Sequence, residues 1–194
     1  MKTLVKNLAQ AIFLVLAFLP ALLSGFGRLE PVFVMFAQAF ATAPGILGDY
    51  LRIAYYRLTL KECALGSRIQ FGSFFAHPQA KVGRSVYIGS YCVLGRTEIG
   101  DRTQVASGVQ ILSGKRQHSR DSSGRIQGSD QGEFTTISIG QDCWIGAAAV
   151  VMADVGAGST VGAGSVVTNA VPPGTVAVGS PARVIGAASG SERG

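Results

Sequence analysis

With 194 residues, the chain has room for one domain and an appendage. Its net charge of +6 comes without a Lys/Arg-rich helix or interleaved basic and aromatic residues. That excludes a nucleic-acid binder and leaves an anionic membrane surface or an anionic ligand. Cys63, Cys92 and Cys143 are well separated and lack metal-ligand spacing, so they read as small buried apolar residues, not a zinc site or a nucleophile.

The apolar excess lies in the first 60 residues. Leu8 to Gly27 carries no charge, and a second apolar run, Pro31 to Gly48, follows after Arg28, Leu29 and Glu30. Each run is near the length of one bilayer crossing. Lys2 and Lys6 precede the pair, and Arg52, Arg57 and Lys61 follow it, so both ends carry cytoplasmic-type flanks. Residues 1–60 are therefore expected to form an apolar, membrane-associated helical segment. It would make two crossings or a shallow hairpin bent at Pro20, Pro31 and Pro44. A soluble helical pair competes, because Ala37, Gln38, Thr42 and Ala43 dilute the second run. A cleaved signal peptide is the third reading, and the second run speaks against it. Asp49 to Leu60 reads as a helix with Arg52, Tyr55, Tyr56 and Arg57 at its lipid or solvent boundary.

From residue 69 a six-residue period takes over. Val82-Gly-Arg-Ser-Val-Tyr and Ile88-Gly-Ser-Tyr-Cys-Val are followed, after a one-residue slip, by Ile99-Gly-Asp-Arg-Thr-Gln and Val105-Ala-Ser-Gly-Val-Gln. After an interruption come Ile139-Gly-Gln-Asp-Cys-Trp, Ile145-Gly-Ala-Ala-Ala-Val and Val161-Gly-Ala-Gly-Ser-Val. An aliphatic residue every sixth position stacks on its counterpart in the next coil, and the Gly or Ala after it leaves the corner uncrowded. Short strands joined by such corners pile into a parallel β-helix over residues 61–186. No amphipathic helix follows residue 62, which excludes a doubly wound sheet. The period breaks from Leu112 to Thr136, a polar stretch with almost no core-forming residues, so residues 112–136 project as a loop. Residues 187–194 are expected to be a flexible tail.

Acid–base chemistry at neutral pH points to histidine. There are two: His118 in the polar loop after Lys115-Arg-Gln, and His77 in Phe74-Phe-Ala-His-Pro of an early coil. The loop favours His118 as the base and leaves His77 as a capping residue of the coil. Whether Asp121 or a backbone carbonyl orients His118 is open at this point. No Gly-x-Ser-x-Gly elbow is present, so a serine nucleophile is disfavoured. Two distant histidines cannot supply a three-histidine zinc site, and no metal is expected.

Asp142-Cys-Trp-Ile-Gly-Ala, Val161-Gly-Ala-Gly-Ser-Val-Val-Thr and Gly179-Ser-Pro-Ala-Arg-Val-Ile resemble the hexapeptide-repeat acyltransferases over about residues 66 to 186. Lys115-Arg-Gln-His118 after a coil, with the apolar N-terminus, resembles the acetyltransferases of exopolysaccharide gene clusters. The resemblance implies a left-handed parallel β-helix and a homotrimer with acetyl-CoA between neighbouring coils. It also implies direct O-acetyl transfer to a sugar hydroxyl, with His118 as general base. Gly146 and Ala147 match the oxyanion and acyl-binding positions. Trp144, Ala163, Thr168 and Arg183 match positions along the acetyl-CoA site, Arg183 near the phosphates. The acceptor implied is a sugar or lipid-linked oligosaccharide at the cytoplasmic face of the inner membrane. A small soluble acceptor and a non-catalytic β-helix scaffold are the alternatives. The hexads are shortened between Val151 and Val161, which unsettles the transfer of contacts by number.

Overall fold

A computed structural model describes residues 2–115, 117–128 and 132–188. Three helices come first: α1 (Lys2–Leu23), α2 (Glu30–Ala41) and α3 (Gly45–Thr59). Two of the three suspected prolines start helices rather than bend them. Pro31 sits in the first turn of α2, where a missing N–H costs nothing, and Pro44 is the N-cap of α3. Pro20 lies inside α1.

The helices are bolted to the β-structure through α3. Arg52 is fully buried, and its guanidinium donates to the Ile69 carbonyl (2.7 Å), to Ala43 O (2.7 Å) and to Phe40 O (2.9 Å). It thus satisfies carbonyls at the end of α2, which no further helical turn can reach. Asp49 balances the charge at 2.8 Å. Tyr55 donates to Phe33 O, and the Tyr56 hydroxyl accepts from the Phe75 amide. Phe33, Phe40, Tyr55, Tyr56 and Phe75 form a chain of ring contacts from α2 into the first coil.

Among the described residues, the strands after α3 wind into a three-sided prism, which the hexapeptide repeat makes left-handed. Its first three coils are β1 (Glu62–Cys63), β2 (Arg68–Ile69) and β3 (Phe74–Phe75); β4 (Lys81–Val82), β5 (Tyr87–Ile88) and β6 (Val93–Leu94); and β7 (Thr97–Ile99), β8 (Gln104–Val105) and β9 (Gln110–Ile111). The fourth is β10 (Ile137–Ile139), β11 (Trp144–Ile145) and β12 (Val150–Val151), and the fifth adds β13 (Thr160–Val161) and β14 (Val166–Val167) after a bridge at Val155. The first face is β1-β4-β7-β10, the second runs from β2 to β15 (Thr175–Gly179), and the third is β3-β6-β9-β12-β14. All rungs are parallel until β16 (Ala182–Ala187) folds back antiparallel on β15 and closes the stack. The repeat thus begins one strand before residue 69, at β1, where Cys63 holds an aliphatic position; Phe75 does the same in β3.

Cys63, Ile69, Val82, Ile88, Leu94, Val105, Ile111, Ile145, Val151, Val161 and Val167 are completely buried and stack in register from coil to coil. Each such side chain contributes roughly 1.5–3 kcal/mol of burial. Ala187 lies in β16 and Ala188 N–H donates to Gly174 O, while the rest of the expected tail, residues 189–194, lies outside the described residues.

Candidate active site

The projecting loop is a finger with its own hydrogen bonds. It leaves the prism at Ser113, which is buried; its Oγ accepts from Arg96 N–H and its carbonyl accepts from Thr135 N–H. Further out, Gly132 passes so close to Gln117 that a Cβ there would run into the Gln117 carbonyl. At the tip, Arg120 pairs with Ile126 antiparallel, and Asp121 Oδ1 accepts from Ser123 N–H, Ser123 Oγ and Arg125 N–H in an Asx turn. Those bonds hold the Asp121 carboxylate below its ordinary range, with the Ser123 side chain the largest cause.

His118 stands exposed on this finger, and its Nδ1 lies 3.2 Å from the Gln127 carbonyl. A carbonyl only accepts, so Nδ1 carries the proton and donates, which leaves the lone pair on Nε2 facing outward. Ser119 and Gln127 lock the two sides together through Gln127 N–H to Ser119 O and Ser119 Oγ to Gln127 Oε1. The orienting group is therefore the backbone carbonyl; Asp121 is engaged in its own turn. Arg116 of the Lys115-Arg-Gln-His motif lies outside the described residues.

The base of the finger is braced by a cluster the sequence did not reveal. Phe134 packs edge-on against His77 (centroids 5.4 Å apart) and lies under the Arg96 guanidinium at 5.2 Å. His77 Nδ1 sits 2.5 Å from Glu30 Oε1 at the start of α2. His77 is thus a link between a helix and the finger rather than a simple cap. The one available signal was a lone aromatic, Phe134, in an otherwise polar stretch.

The other expected residues are spread over the prism. Thr168 follows β14 on the finger's own edge, where Lys115 Nζ reaches Asn169 Oδ1 at 3.3 Å. A cavity of about 290 Å³ opens there between Gly114, Lys115, Glu133, Thr135 and Met152. Trp144 lies on the second face between Gln104 and Thr160, 59% exposed. Ala147 and Ala163 are exposed turns on the next edge, stacked through Gly164 N–H to Ala147 O. Arg183 is exposed on β16 opposite Val178. One expectation needs correction. The Gly146 N–H donates to Val161 O at 2.8 Å, so it belongs to the ladder between coils and is no free oxyanion donor. The three thiols are buried and unreactive: burial pushes Cys63 up to about 12 and raises Cys92 and Cys143. Among the described residues no three His, Cys, Asp or Glu side chains converge as metal ligands.

Residues 136–169 match the family described as the hexapeptide repeat of succinyl-transferase. Serine acetyltransferase 4 of Arabidopsis thaliana is 31% identical over 72% of this chain and 40% of its own length. The polySia-specific acetyltransferase NeuO is 25% identical, with a TM-score of 0.54 over 66% of this chain and 63% of that one. A maltose O-acetyltransferase from Clostridium difficile 630 shares the fold at 24% identity, with a TM-score of 0.67 over 82% of this chain and 88% of that one. The chain spans from about a fifth to about half of the length of the curated relatives it matches. Rung spacing, strand register and these likenesses agree: the chain carries the hexapeptide repeat and has the left-handed β-helix fold of the hexapeptide-repeat acyltransferases.

Proposed function

We propose that the chain is an O-acetyltransferase that moves an acetyl group from acetyl-CoA to a sugar hydroxyl, with His118 as general base. The observation that carries this reading is the Nδ1 contact of His118 with the Gln127 carbonyl on a finger rooted in the prism. Nε2 takes the acceptor's proton as its oxygen attacks the thioester carbonyl; the thiolate of CoA leaves and recovers the proton from the imidazolium. The oxyanion of the tetrahedral intermediate needs N–H donors, and Ala147 rather than Gly146 is the one assigned here. NeuO and the maltose enzyme support a sugar acceptor.

The reading includes a homotrimer. Thr168 shares the finger's edge, whereas Ala147, Ala163 and Trp144 lie on the next edge and the second face, so one chain does not gather them. A finger that serves the neighbouring prism would. The outward row of the third face, Phe74, Val93, Gln110, Val150 and Val166, is half-buried and mostly apolar, and it adjoins the finger. That row suits a subunit contact. The acceptor is assigned to exopolysaccharide biosynthesis, as a lipid-linked oligosaccharide at the cytoplasmic face of the inner membrane. The apolar residues 1–60 support this, because an anchored enzyme meets an anchored acceptor. The second reading is a small soluble acceptor, which the serine acetyltransferase likeness favours.

Release of free CoA thiol from acetyl-CoA, with oligosaccharide, free sugar and serine as acceptors, tests the reading. His118→Ala is expected to lower turnover by about 10²–10⁴. Unchanged turnover would remove His118 as the base, and transfer to serine alone would establish the second reading.

A further inference from the structure

Among the described residues, fourteen of the nineteen exposed large apolar side chains lie before residue 50. Those of α1 include Leu8, Val15, Leu19 and Leu22, each more than half exposed. The 18-residue stretch Lys6–Leu23 is long and apolar enough to cross a membrane, with a mean hydropathy of 1.8. Against a bilayer, such a helix has two arrangements: across it, or along its surface.

The packing of α1 separates them. Its inner side is held along the domain from Gln10 onward, and so is the turn that follows it. Gln10 Nε2 donates to Leu65 O of the first coil, Phe13 stacks on Tyr50, Ala17 and Ala21 are fully buried, and Gly27 abuts the Thr59 carbonyl. The opposite side of α3 is fixed to the coil by Arg52 and Tyr56. A crossing α1 would carry Asp49, Arg57, Glu62 and Arg68 to hydrocarbon depth beside it, which charged groups resist. Lying flat, the same helix buries only its outer apolar side and leaves the prism in water.

Charge names the surface. The described part of α1 contains no acidic residue, Lys6 stands exposed near its start, and Arg28 stands exposed just past its end. Beneath Lys6 a cavity of about 190 Å³ runs between α1, α3 and the first coil, with Gln10, Tyr50, Leu65 and Arg68 in its wall. Asp49 in that wall is engaged by Arg52 and Arg68. We propose that α1 lies in the plane of an anionic bilayer, with Lys6 and Arg68 at the mouth of this cavity receiving a phospholipid phosphate. The proposal rests on the membrane-associated part of the functional reading and is independent of the acceptor and of His118.

Two measurements test it on the full chain. In sedimentation with vesicles, the chain binds phosphatidylcholine mixed with phosphatidylglycerol more tightly than phosphatidylcholine alone. Lys6→Gln with Arg68→Gln reduces that preference by about five-fold per charge. Val15→Glu with Leu19→Glu, both on the outer side, abolishes sedimentation with either vesicle at unchanged circular dichroism. In the second measurement, fluorophores are placed singly on Leu8→Cys, Val15→Cys and Leu22→Cys, the three native thiols being buried. Quenching by lipids brominated at different depths is expected to report one common shallow depth. A graded depth from Leu8 to Leu22 would mean a crossing and overturn the proposal. Absence of vesicle binding, with those labels shielded in an oligomer, would assign the face to a second copy and overturn it equally. CoA release with a soluble sugar, measured in the same samples, is not expected to change in any variant, so a failure here is distinguishable from a failure of the enzymatic reading.

Discussion

Two edges of the prism keep constant spacing and the third does not. From Val82 to Ile88 to Leu94, from Ile99 to Val105 to Ile111, and from Ile139 to Ile145 to Val151, inward residues recur every six positions. The return from the third face to the next first face obeys no such rule. Leu94 to Ile99 takes five positions, Val151 to Val155 and Val167 to Val171 take four, and Ile111 to Ile139 takes twenty-eight. The slip, the shortening and the finger are thus the same event at one edge. The two constant edges fix strand register, where a one-residue change would turn every later side chain inside out. The third edge absorbs length without disturbing the stack, so insertions and the candidate base collect there.

The sharpest way to break this contrast is to damage the constant part. Ile145 is completely buried in the fourth coil, between Val105 and Val161. Ile145→Ala is expected to cost about 2–5 kcal/mol and to lower the thermal midpoint, because a rigid coil cannot collapse into the void. Trp144, its neighbour on the outward side, separates packing from surface: Trp144→Ala is expected to leave stability within about 0.5 kcal/mol. Thermal unfolding followed by circular dichroism decides both. Equal losses would mean that the outward row is buried in the assembly as deeply as the inward one.

Gly132→Ala attacks the finger instead. Its new Cβ meets the Gln117 carbonyl, next to His118, and one side of the finger must shift. Turnover is expected to fall by up to about 10² through misplacement of the imidazole. The thermal midpoint should stay nearly unchanged, since Gly132 and Gln117 lie outside the stacked core and beyond the Phe134 brace. A lowered midpoint with full activity would show that the finger is part of the scaffold.

Which features were legible follows from the same division. The prism was readable because each rung repeats one demand, an aliphatic residue followed by a small one, and many repetitions outweigh the exceptions. The first coil repeats less plainly, because Cys63 and Phe75 satisfy that demand with unfamiliar residues. His118 was readable as a histidine in a polar break. Its partner was not, since a backbone carbonyl from Gln127 leaves no trace in residue identity. The Glu30–His77–Phe134–Arg96 brace joins four distant segments, and no local pattern announces such a contact. Gly146 shows the reverse failure: its identity fits the motif, yet its amide is already committed to the next coil.

The smallest expected effect concerns the edge between the first and second faces, where charge rather than packing links the coils. Arg84 binds Asp101, through its backbone N–H at 2.7 Å and its guanidinium at 2.7 and 2.9 Å. One coil on, Arg102 grips Asp142 at 2.6 and 2.7 Å. Both carboxylates are held below their ordinary range, Asp101 first by the Arg84 backbone N–H and Asp142 first by the Arg102 side chain. A group whose folded value is lowered adds stability above its unfolded value and loses it as pH falls through the folded one. The thermal midpoint should therefore decline from just above the ordinary carboxylate value of 3.8 downward. These groups are exposed, so the decline is shallow and shrinks further in high salt. Asp101→Asn with Asp142→Asn is expected to flatten that part of the profile while leaving the neutral-pH midpoint nearly unchanged. A profile just as steep in the double variant would place the acid-sensitive contacts elsewhere.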